Sequence, residues 1–220
     1  MTNDLNAEVE NEAAQFIATL LPTPGVDGLK VMAALRARLA EHAANDGLLD
    51  IAYRTIDSPV GELLVAATEI GLVRVAFALE DFDTVLADLA AKISPRILKA
   101  ANRTDATARQ VDEYFARHRR SFDLNIDLRL VSGFRRTVIA HLSHIEYGNT
   151  ASYGAIASAV GNPAAVRAVG SACSHNPLPV VIPCHRVVRS DGAVGQYLGG
   201  VEAKIALLAL EAGSYSNADG

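Results

Sequence analysis

The chain has 220 residues, of which 50% are hydrophobic, and a net charge of −5. This length allows one large or two small domains with an apolar core, while two cysteines exclude a disulfide scaffold and a four-cysteine zinc site. The few cysteines, the acidic start without an apolar signal core and the lack of an apolar run of about 18 residues predict a cytoplasmic protein that does not enter a membrane.

The charge is unevenly distributed along the chain. Residues 1–50 carry eight Asp and Glu against three Lys and Arg, which gives −5, whereas residues 131–200 carry five Arg against two acidic residues, which gives +3. The negative total argues against a strongly basic nucleic-acid binder, but docking depends on the local sign of a surface. The second half of the chain therefore remains a candidate for contact with DNA.

The first part of the chain predicts an acidic helical extension. Apolar residues recur at helical spacing over 8–21 and 28–44, and Pro22 and Pro24 separate the two segments. We assign residues 1–48 to this extension, whose sequence does not indicate a role.

The middle of the chain predicts a small domain over residues 49–130. Apolar, β-branched runs indicate strands, and the tight connections between them favour antiparallel pairing. Two helical patterns follow the strands. The predicted strands cover 51–56, 62–68 and 72–79, and the predicted helices run from about Phe82 to Ile93 and from Thr104, as N-cap, to His118. The fold class we expect is α/β, with a three-stranded antiparallel sheet.

Residues 131–220 predict a mainly helical domain. Ser152 is placed to cap a short helix over Tyr153–Val160, and a Gly-Asn-Pro turn leads to a second helix, Ala164–His175. Two helices joined by a tight turn are typical of a helix-turn-helix. An ordinary helical hairpin is the alternative, and the pattern alone does not decide between them.

The second of these helices consists largely of small residues. Ala168, Gly170 and Ser171 leave Arg167 as its one long cationic side chain. Such a helix suits close approach to a DNA backbone rather than the reading of base edges, and a single Arg can occupy the space that a base has left. Tight packing between helices would also favour small residues.

The most informative segment reads Val-Val-Ile-Pro-Cys-His-Arg-Val-Val over residues 180–188. An apolar, strand-forming run places Cys184 beside His185, a titratable base, and Arg186, a fixed cation. Such neighbours lower the pKa of a thiol and favour the reactive thiolate. We interpret Cys184 as a nucleophile; the alternative is a small buried hydrophobe.

These segments, in this order, resemble the O6-alkylguanine-DNA alkyltransferase family. The resemblance is dense over residues 132–211, where Pro-Cys-His-Arg-Val is its most specific motif, and weaker over 50–131. It implies a ribonuclease H-like N-terminal domain followed by a DNA-binding, alkyl-accepting domain. It also implies a stoichiometric repair reaction on duplex DNA containing alkylated guanine, by a monomer without metal or cofactor.

The resemblance assigns four catalytic residues. Cys184 would accept the alkyl group, and His185 would take the thiol proton through a water. Glu211 would orient His185, and Asn176 would hold the turn. A relay of this kind predicts a sulfur that is mostly thiolate near neutral pH.

The resemblance also assigns contacts to the DNA and to the flipped base. Arg167 would fill the gap in the duplex, and Tyr153 would contact the extruded nucleotide. Either the Tyr153 hydroxyl or the Leu198 N–H would stabilise the charge that develops on the guanine oxygen. The predicted DNA-binding set is Arg167, Tyr153, Ala168, Gly170, Ser171 and Arg135, and the predicted base pocket is Tyr153, Pro179, Val187, Tyr197, Leu198 and Gly199. Leu198 stands where the family often has a small or polar residue.

Two other functions fit parts of the sequence. A non-catalytic lesion-binding module would use the helix-turn-helix without the thiol. A cysteine hydrolase would use Cys184, His185 and Glu211 as a triad, although no glycine motif for an oxyanion hole is evident.

Overall fold

The computed structural model describes residues 26–213. The chain divides at residue 39/40 into two compact units, and the second, from Ala40 onward, contains every helix and strand of residues 26–213 except most of the first described helix. The predicted helix over 8–21 lies outside the described residues. The predicted helix over 28–44 is confirmed as α1, Val26–Asn45.

A small sheet is the first feature of the larger unit. The three predicted strands are confirmed as β1, Ile51–Ile56, β2, Leu63–Ala67, and β3, Leu72–Phe77. A fourth strand, β4, Ile97–Lys99, pairs in parallel with β1, so the strand order is β3-β2-β1-β4. The expectation of three antiparallel strands is therefore corrected to a mixed four-stranded sheet.

Both faces of the sheet are buried. Leu64 and Val73 pack on one face against α2, Phe82–Lys92, while Leu63 and Val65 face the larger core on the other side. Successive residues of a strand point to opposite faces, so a strand covered on both sides reads as a continuous apolar run. This arrangement explains why all five residues of β2 are buried.

The C-terminal region, residues 131–213, is mainly helical, as predicted. Its helices and strands are α4, Gly133–Leu142, β5, Ala151–Ser152, α5, Tyr153–Ala159, α6, Val166–Ser174, β6, Val187–Val188, and α7, Gly200–Glu211. They follow α3, Asp105–Phe115, of the N-terminal region, residues 49–130. The Ser152 hydroxyl accepts a hydrogen bond from the Ala155 N–H at 3.0 Å, which confirms the predicted cap of α5.

The outer edge of the sheet supports the segment that precedes Cys184. The Val75 N–H in β3 donates to the Pro177 carbonyl at 2.8 Å. One apolar core includes residues of β2, β3 and α3 together with residues of α4 to α7. The two regions share this core, so the core does not mark a boundary between them. The domain division at residue 130/131 therefore stays a prediction.

None of the helices within residues 26–213 is both long enough and apolar enough to span a membrane.

Candidate active site and DNA-binding surface

The cysteine segment folds as a buried turn. Cys184 begins a single 3₁₀ turn that ends at Arg186, and the Cys184 N–H donates to the Ile182 carbonyl at 2.8 Å. Val180, before the turn, has a φ of 71°. This left-handed conformation is unfavourable for a β-branched residue and is retained only where the surrounding structure imposes it. The backbone that presents the cysteine is thus held in place by its packing.

Asn176 holds the cysteine sulfur. Its Nδ2 lies 3.2 Å from Cys184 Sγ and 2.9 Å from the Ile182 carbonyl oxygen, and its Oδ1 accepts from the Leu178 N–H at 3.0 Å. Asn176 is completely buried and Cys184 is 2% exposed. The backbone bonds fix the orientation of the amide, so its N–H group points at the sulfur.

The thiol is protonated in the free protein. Burial raises the pKa of Cys184 to about 11, although the Asn176 amide and the Lys204 ammonium each lower it. The expected thiolate at neutral pH is therefore wrong for the free protein, because desolvation outweighs the stabilising contacts. Nucleophilic attack by this sulfur would require the loss of that proton.

His185 lies on the same turn and is bound through one ring nitrogen. Its Nε2 is 2.9 Å from Glu211 Oε1, while Nδ1 is buried without a hydrogen-bond partner among the described residues. Burial lowers the pKa of His185 despite the opposing effect of Glu211. The neutral ring donates its Nε2 proton to the carboxylate, which leaves Nδ1 as a free proton acceptor.

Glu211, at the end of α7, is surrounded by donors. Its two oxygens accept hydrogen bonds from the Arg186 guanidinium at 2.9 Å, from the Tyr114 hydroxyl at 2.7 Å and from the Gly148 N–H at 3.1 Å, in addition to His185. Burial opposes ionisation, but the hydrogen bonds from His185 and Arg186 outweigh it and hold the pKa of Glu211 well below its usual range. Glu211 is therefore a permanent anion behind the imidazole.

A loop, residues 195–199, places Tyr197 beside the thiol. Tyr197 packs edge-on against His185, with ring centroids 6.3 Å apart, and against Phe77 of β3 at 5.5 Å. Its hydroxyl is buried beside the thiol, whose pKa it lowers, and has no well-formed hydrogen bond within residues 26–213. At Gly199 a Cβ would lie 2.6 Å from the Phe77 ring, so only glycine permits this approach.

The other predicted pocket residues fall into three environments. Pro179 and Val187 are buried in the core around the turn. Tyr153 is half-buried, and its hydroxyl would lie 3.0 Å from a Cβ added to Gly195 of the loop. Leu198 lines a cavity of about 490 Å³ between α2 and the C-terminal region.

The short parallel pair of β5 and β6 joins the cysteine turn to the helix-turn-helix. Ala151 pairs with Val187 and Ser152 with Val188, so the strand that follows the cysteine turn lies beside the residues that begin α5. Tyr153 is the first residue of that helix. This pairing fixes the start of α5 next to the cysteine turn.

The α6 helix presents the predicted small-residue face to solvent. Arg167, Ala168 and Ser171 are exposed and Gly170 is partly so, whereas Val169 and Ala172 point into the core. The surface along α6 is therefore shallow, with Arg167 projecting from its first turn. Arg135 lines the cavity beside Leu198 together with Glu80 and Asp88, and its contact with DNA stays a prediction.

The sequence interpretation missed two contributors to the site. Lys204 is 1% exposed, and its Nζ donates to the Val187 carbonyl at 2.6 Å. Lys204 and Glu211 are seven residues apart in α7, so both fall on its apolar face. Two charged residues on an apolar helix face could have indicated from the sequence that both are buried at a site. Tyr114 belongs to α3, 97 residues from its partner Glu211, and no local pattern indicates that contact.

Arg186 has a different role from the one predicted. Its guanidinium binds Glu211 and the Ile145 carbonyl. It therefore serves the carboxylate behind His185, and Lys204 is the cation that lowers the pKa of the thiol. Over residues 26–213, no group of three His, Cys, Asp or Glu side chains is arranged to hold a metal ion.

Two family models match the chain in succession. The ribonuclease-like domain of 6-O-methylguanine DNA methyltransferase matches residues 51–128. The DNA binding domain of the same family matches residues 133–213, which include the cysteine turn and the helix-turn-helix.

Individual relatives agree with this match. The methylated-DNA–protein-cysteine methyltransferase of Mycolicibacterium paratuberculosis is 40% identical over 161 residues, which are 73% of this chain and 92% of that protein. The constitutive enzyme of that name from Bacillus subtilis is 36% identical over 74% of this chain and 96% of its own length. The crystal structure of Mycobacterium tuberculosis OGT in complex with DNA has a TM-score of 0.65 and 37% identity, and covers 74% of this chain and 94% of that chain. The chain therefore belongs to the 6-O-methylguanine DNA methyltransferase family.

Proposed function

We propose that this protein repairs alkylated duplex DNA by direct reversal, with Cys184 as the acceptor of the alkyl group from the O6 atom of guanine. One observation carries the assignment: the Cys184 sulfur is held by an amide donor, and the next residue, His185, offers one free ring nitrogen while Glu211 binds the other. This arrangement provides a nucleophile and a base in adjacent positions.

The reaction is a single displacement at carbon. The Cys184 sulfur attacks the alkyl carbon, a carbon–sulfur bond forms, and the carbon–oxygen bond to guanine breaks with its electron pair going to the oxygen. The thiol proton passes through a bridging water to His185 Nδ1, and guanine ultimately takes up one proton. The thioether is stable, so each molecule reacts once, and the balance requires no metal, cofactor or redox partner.

His185 and Glu211 allow the protonated thiol to act as a nucleophile. A thiol with a pKa of about 11 is a poor nucleophile at neutral pH until a base removes its proton. The buried His185 is neutral and can accept that proton, and the anionic Glu211 stabilises the imidazolium that forms. The relay therefore acts during the displacement and not before it.

The guanine oxygen gains negative charge as the bond breaks, so it needs a donor nearby. We infer that the Tyr153 hydroxyl supplies it, together with the Leu198 N–H of the loop. The position of the Tyr153 hydroxyl against Gly195 supports this role. The loop must move when the base enters, because Cys184 is 2% exposed in the free protein.

The exposed face of α6 is the proposed DNA contact. Its small side chains allow the helix to lie close to the sugar-phosphate backbone, and Arg167 occupies the space of the flipped nucleotide. We further propose that the protein acts as a monomer in the cytoplasm. A single chain supplies every group that the displacement uses, which supports the monomer.

The test is a single-turnover assay with a duplex containing one methylated guanine. Mass spectrometry should find one added methyl group on the peptide that contains Cys184, and the guanine in the duplex should be restored. The Cys184→Ala variant should bind the same duplex without repairing it. Lesion binding by both proteins without any methyl transfer would contradict the proposal and favour a non-catalytic lesion binder.

A further inference from the structure

Tyr114 connects the N-terminal region to the catalytic carboxylate. It lies in the last turn of α3, is completely buried, and its hydroxyl donates to Glu211 Oε1 at 2.7 Å. The same oxygen accepts the Nε2 proton of His185 at 2.9 Å. The region without the nucleophile thus supplies a donor to the atom that holds the catalytic base.

We propose that Tyr114 is a positioning residue of the alkyl transfer, which acts through Glu211 to set how strongly His185 holds a proton. This inference rests on the proposed function, in which His185 accepts the thiol proton. It assigns a chemical role to the N-terminal region. Tyr114 has this role through Glu211, and not through contact with the acceptor sulfur or with the proposed DNA surface.

Tyr114 and His185 both donate to Glu211 Oε1. Each donor to a carboxylate oxygen withdraws electron density from it, so Tyr114 and His185 compete for Oε1. Loss of the Tyr114 donor leaves more negative charge for His185, and a stronger partner anion favours the imidazolium over neutral imidazole. Removing the hydroxyl should therefore raise the pKa of His185.

The other charged and titratable groups around this pair come from several elements. Arg186, on the cysteine turn, binds both Glu211 oxygens, and Lys204 of α7 acts on His185. Besides Tyr114, the titratable groups that act on His185 or Glu211 are Arg186 and Lys204, while Tyr147 and Tyr197 lie within the electrostatic reach of Glu211. Among the three tyrosines, Tyr114 is the one whose hydroxyl donates to the Glu211 side chain within the described structure.

The Tyr114 ring is fixed independently of its hydroxyl. It packs against Phe115 and Phe122, each with a centroid distance of 5.3 Å, and edge-on against Tyr147 at 6.1 Å. A phenylalanine at position 114 fills the same space, so the substitution removes the donor and keeps the packing. Tyr147→Phe is the matched control, because the Tyr147 hydroxyl in the same cluster donates to the Leu210 carbonyl at 3.4 Å and not to Glu211.

The experiment measures the single-turnover rate of methyl transfer to Cys184 as a function of pH for wild type, Tyr114→Phe and Tyr147→Phe. The rate falls in acid as His185 becomes protonated. For Tyr114→Phe this acid limb should move to higher pH by on the order of one pH unit, whereas Tyr147→Phe should keep the wild-type profile. Site-specific 3-fluorotyrosine at position 114, a stronger donor, should move the limb to lower pH.

A second readout separates this inference from the proposed function. The titration of His185 in the free protein, followed by nuclear magnetic resonance of its ring, should show the same order of pKa values without any DNA. If the wild-type protein transferred no methyl group, the proposed function would be refuted. The titration of His185 would still test the role of Tyr114. Superimposable His185 titrations of wild type and Tyr114→Phe would overturn the role of Tyr114, whatever the activity.

Discussion

The side-chain amide of Asn176 links the Cys184 sulfur to the backbone of the turn that presents it. Its Nδ2 lies 3.2 Å from Sγ and 2.9 Å from the Ile182 carbonyl, so one group both positions the sulfur and donates to it. This donor is the largest of the effects that oppose the burial-induced rise in the pKa of Cys184. Asn176 therefore acts on the geometry and on the charge of the nucleophile.

Replacing Asn176 by Asp tests that double role with almost no change in shape. The variant places acceptor oxygens, and at neutral pH a negative charge, where the thiolate needs a donor. Loss of a hydrogen bond to a charged group predicts a fall of about 10- to 100-fold in the single-turnover rate. Asn102→Asp, on an exposed turn, is the control and should react at the wild-type rate. Equal rates for both variants would show that Asn176 does not stabilise the developing thiolate.

A second prediction concerns stability, because Glu211 also neutralises Arg186. Arg186 is 7% exposed, and Glu211→Gln would leave this buried cation without its anion. Breaking a buried ion pair predicts a loss of about 3–5 kcal/mol in the free energy of unfolding at neutral pH. Urea denaturation measures it. Glu62→Gln, at an exposed position, should change the free energy by less than about 0.5 kcal/mol.

The same variant should alter the pH dependence of folding. The pKa of Glu211 is held below its usual value of 4.5, so its contribution to stability is fully present above that pH and is lost as the pH falls towards the folded-state pKa. The free energy of unfolding of the wild type should therefore fall more steeply than that of Glu211→Gln as the pH drops below 4.5, the usual pKa of a glutamate. Parallel curves for the two proteins would mean that the ion pair does not contribute to acid stability.

Local patterns predicted the elements whose signals are local. The three antiparallel strands, the cap at Ser152 and the cysteine turn all depend on neighbouring residues, and the structure contains each of them. Strand β4 has only three residues and pairs in parallel with β1, from which β2, β3 and α2 separate it in the chain, so neither its periodicity nor a turn indicates it. Tyr114 meets Glu211 only after the two regions pack together.

The protonation state of the Cys184 thiol is another property that local sequence patterns do not predict. The neighbours of Cys184 in sequence suggested a thiolate, since a histidine and an arginine follow it directly. Its pKa is set instead by burial in the folded core, and Arg186 binds Glu211. Sequence singled out Cys184 as the candidate nucleophile because the motif is specific, but desolvation is a property of the packed structure.

Lys204 offers a test of the cation that does act on the thiol. Lys204→Met keeps the length of the side chain and removes the buried charge that lowers the pKa of Cys184. The pKa should rise above that of the parent, and methyl transfer should slow on the order of tenfold. The ultraviolet absorbance of the thiolate, followed against pH in a Cys173→Ala background, measures the first effect. Lys92→Met is an exposed control, and a lower pKa in Lys204→Met than in this control would contradict the prediction.

Arg167 provides a prediction that separates DNA binding from base flipping. If its side chain fills the gap in the duplex, Arg167→Ala should slow repair of a methylated duplex by about tenfold or more, since unstacking a base costs a few kcal/mol. Free O6-methylguanine base, which needs no flipping, should react with the variant and with wild type at the same rate.

The salt dependence of binding completes the test of Arg167. A residue that enters the base stack releases no phosphate counterion, so the slope of log affinity against log salt concentration should stay that of wild type, while loss of a phosphate contact would reduce it by about 0.9. The wild-type slope itself should be shallow, because Arg167 is the only Lys or Arg in α6. Slower repair with an unchanged slope assigns Arg167 to the flipped state. A reduced slope with equal rates at saturating DNA would instead make it an ordinary phosphate contact.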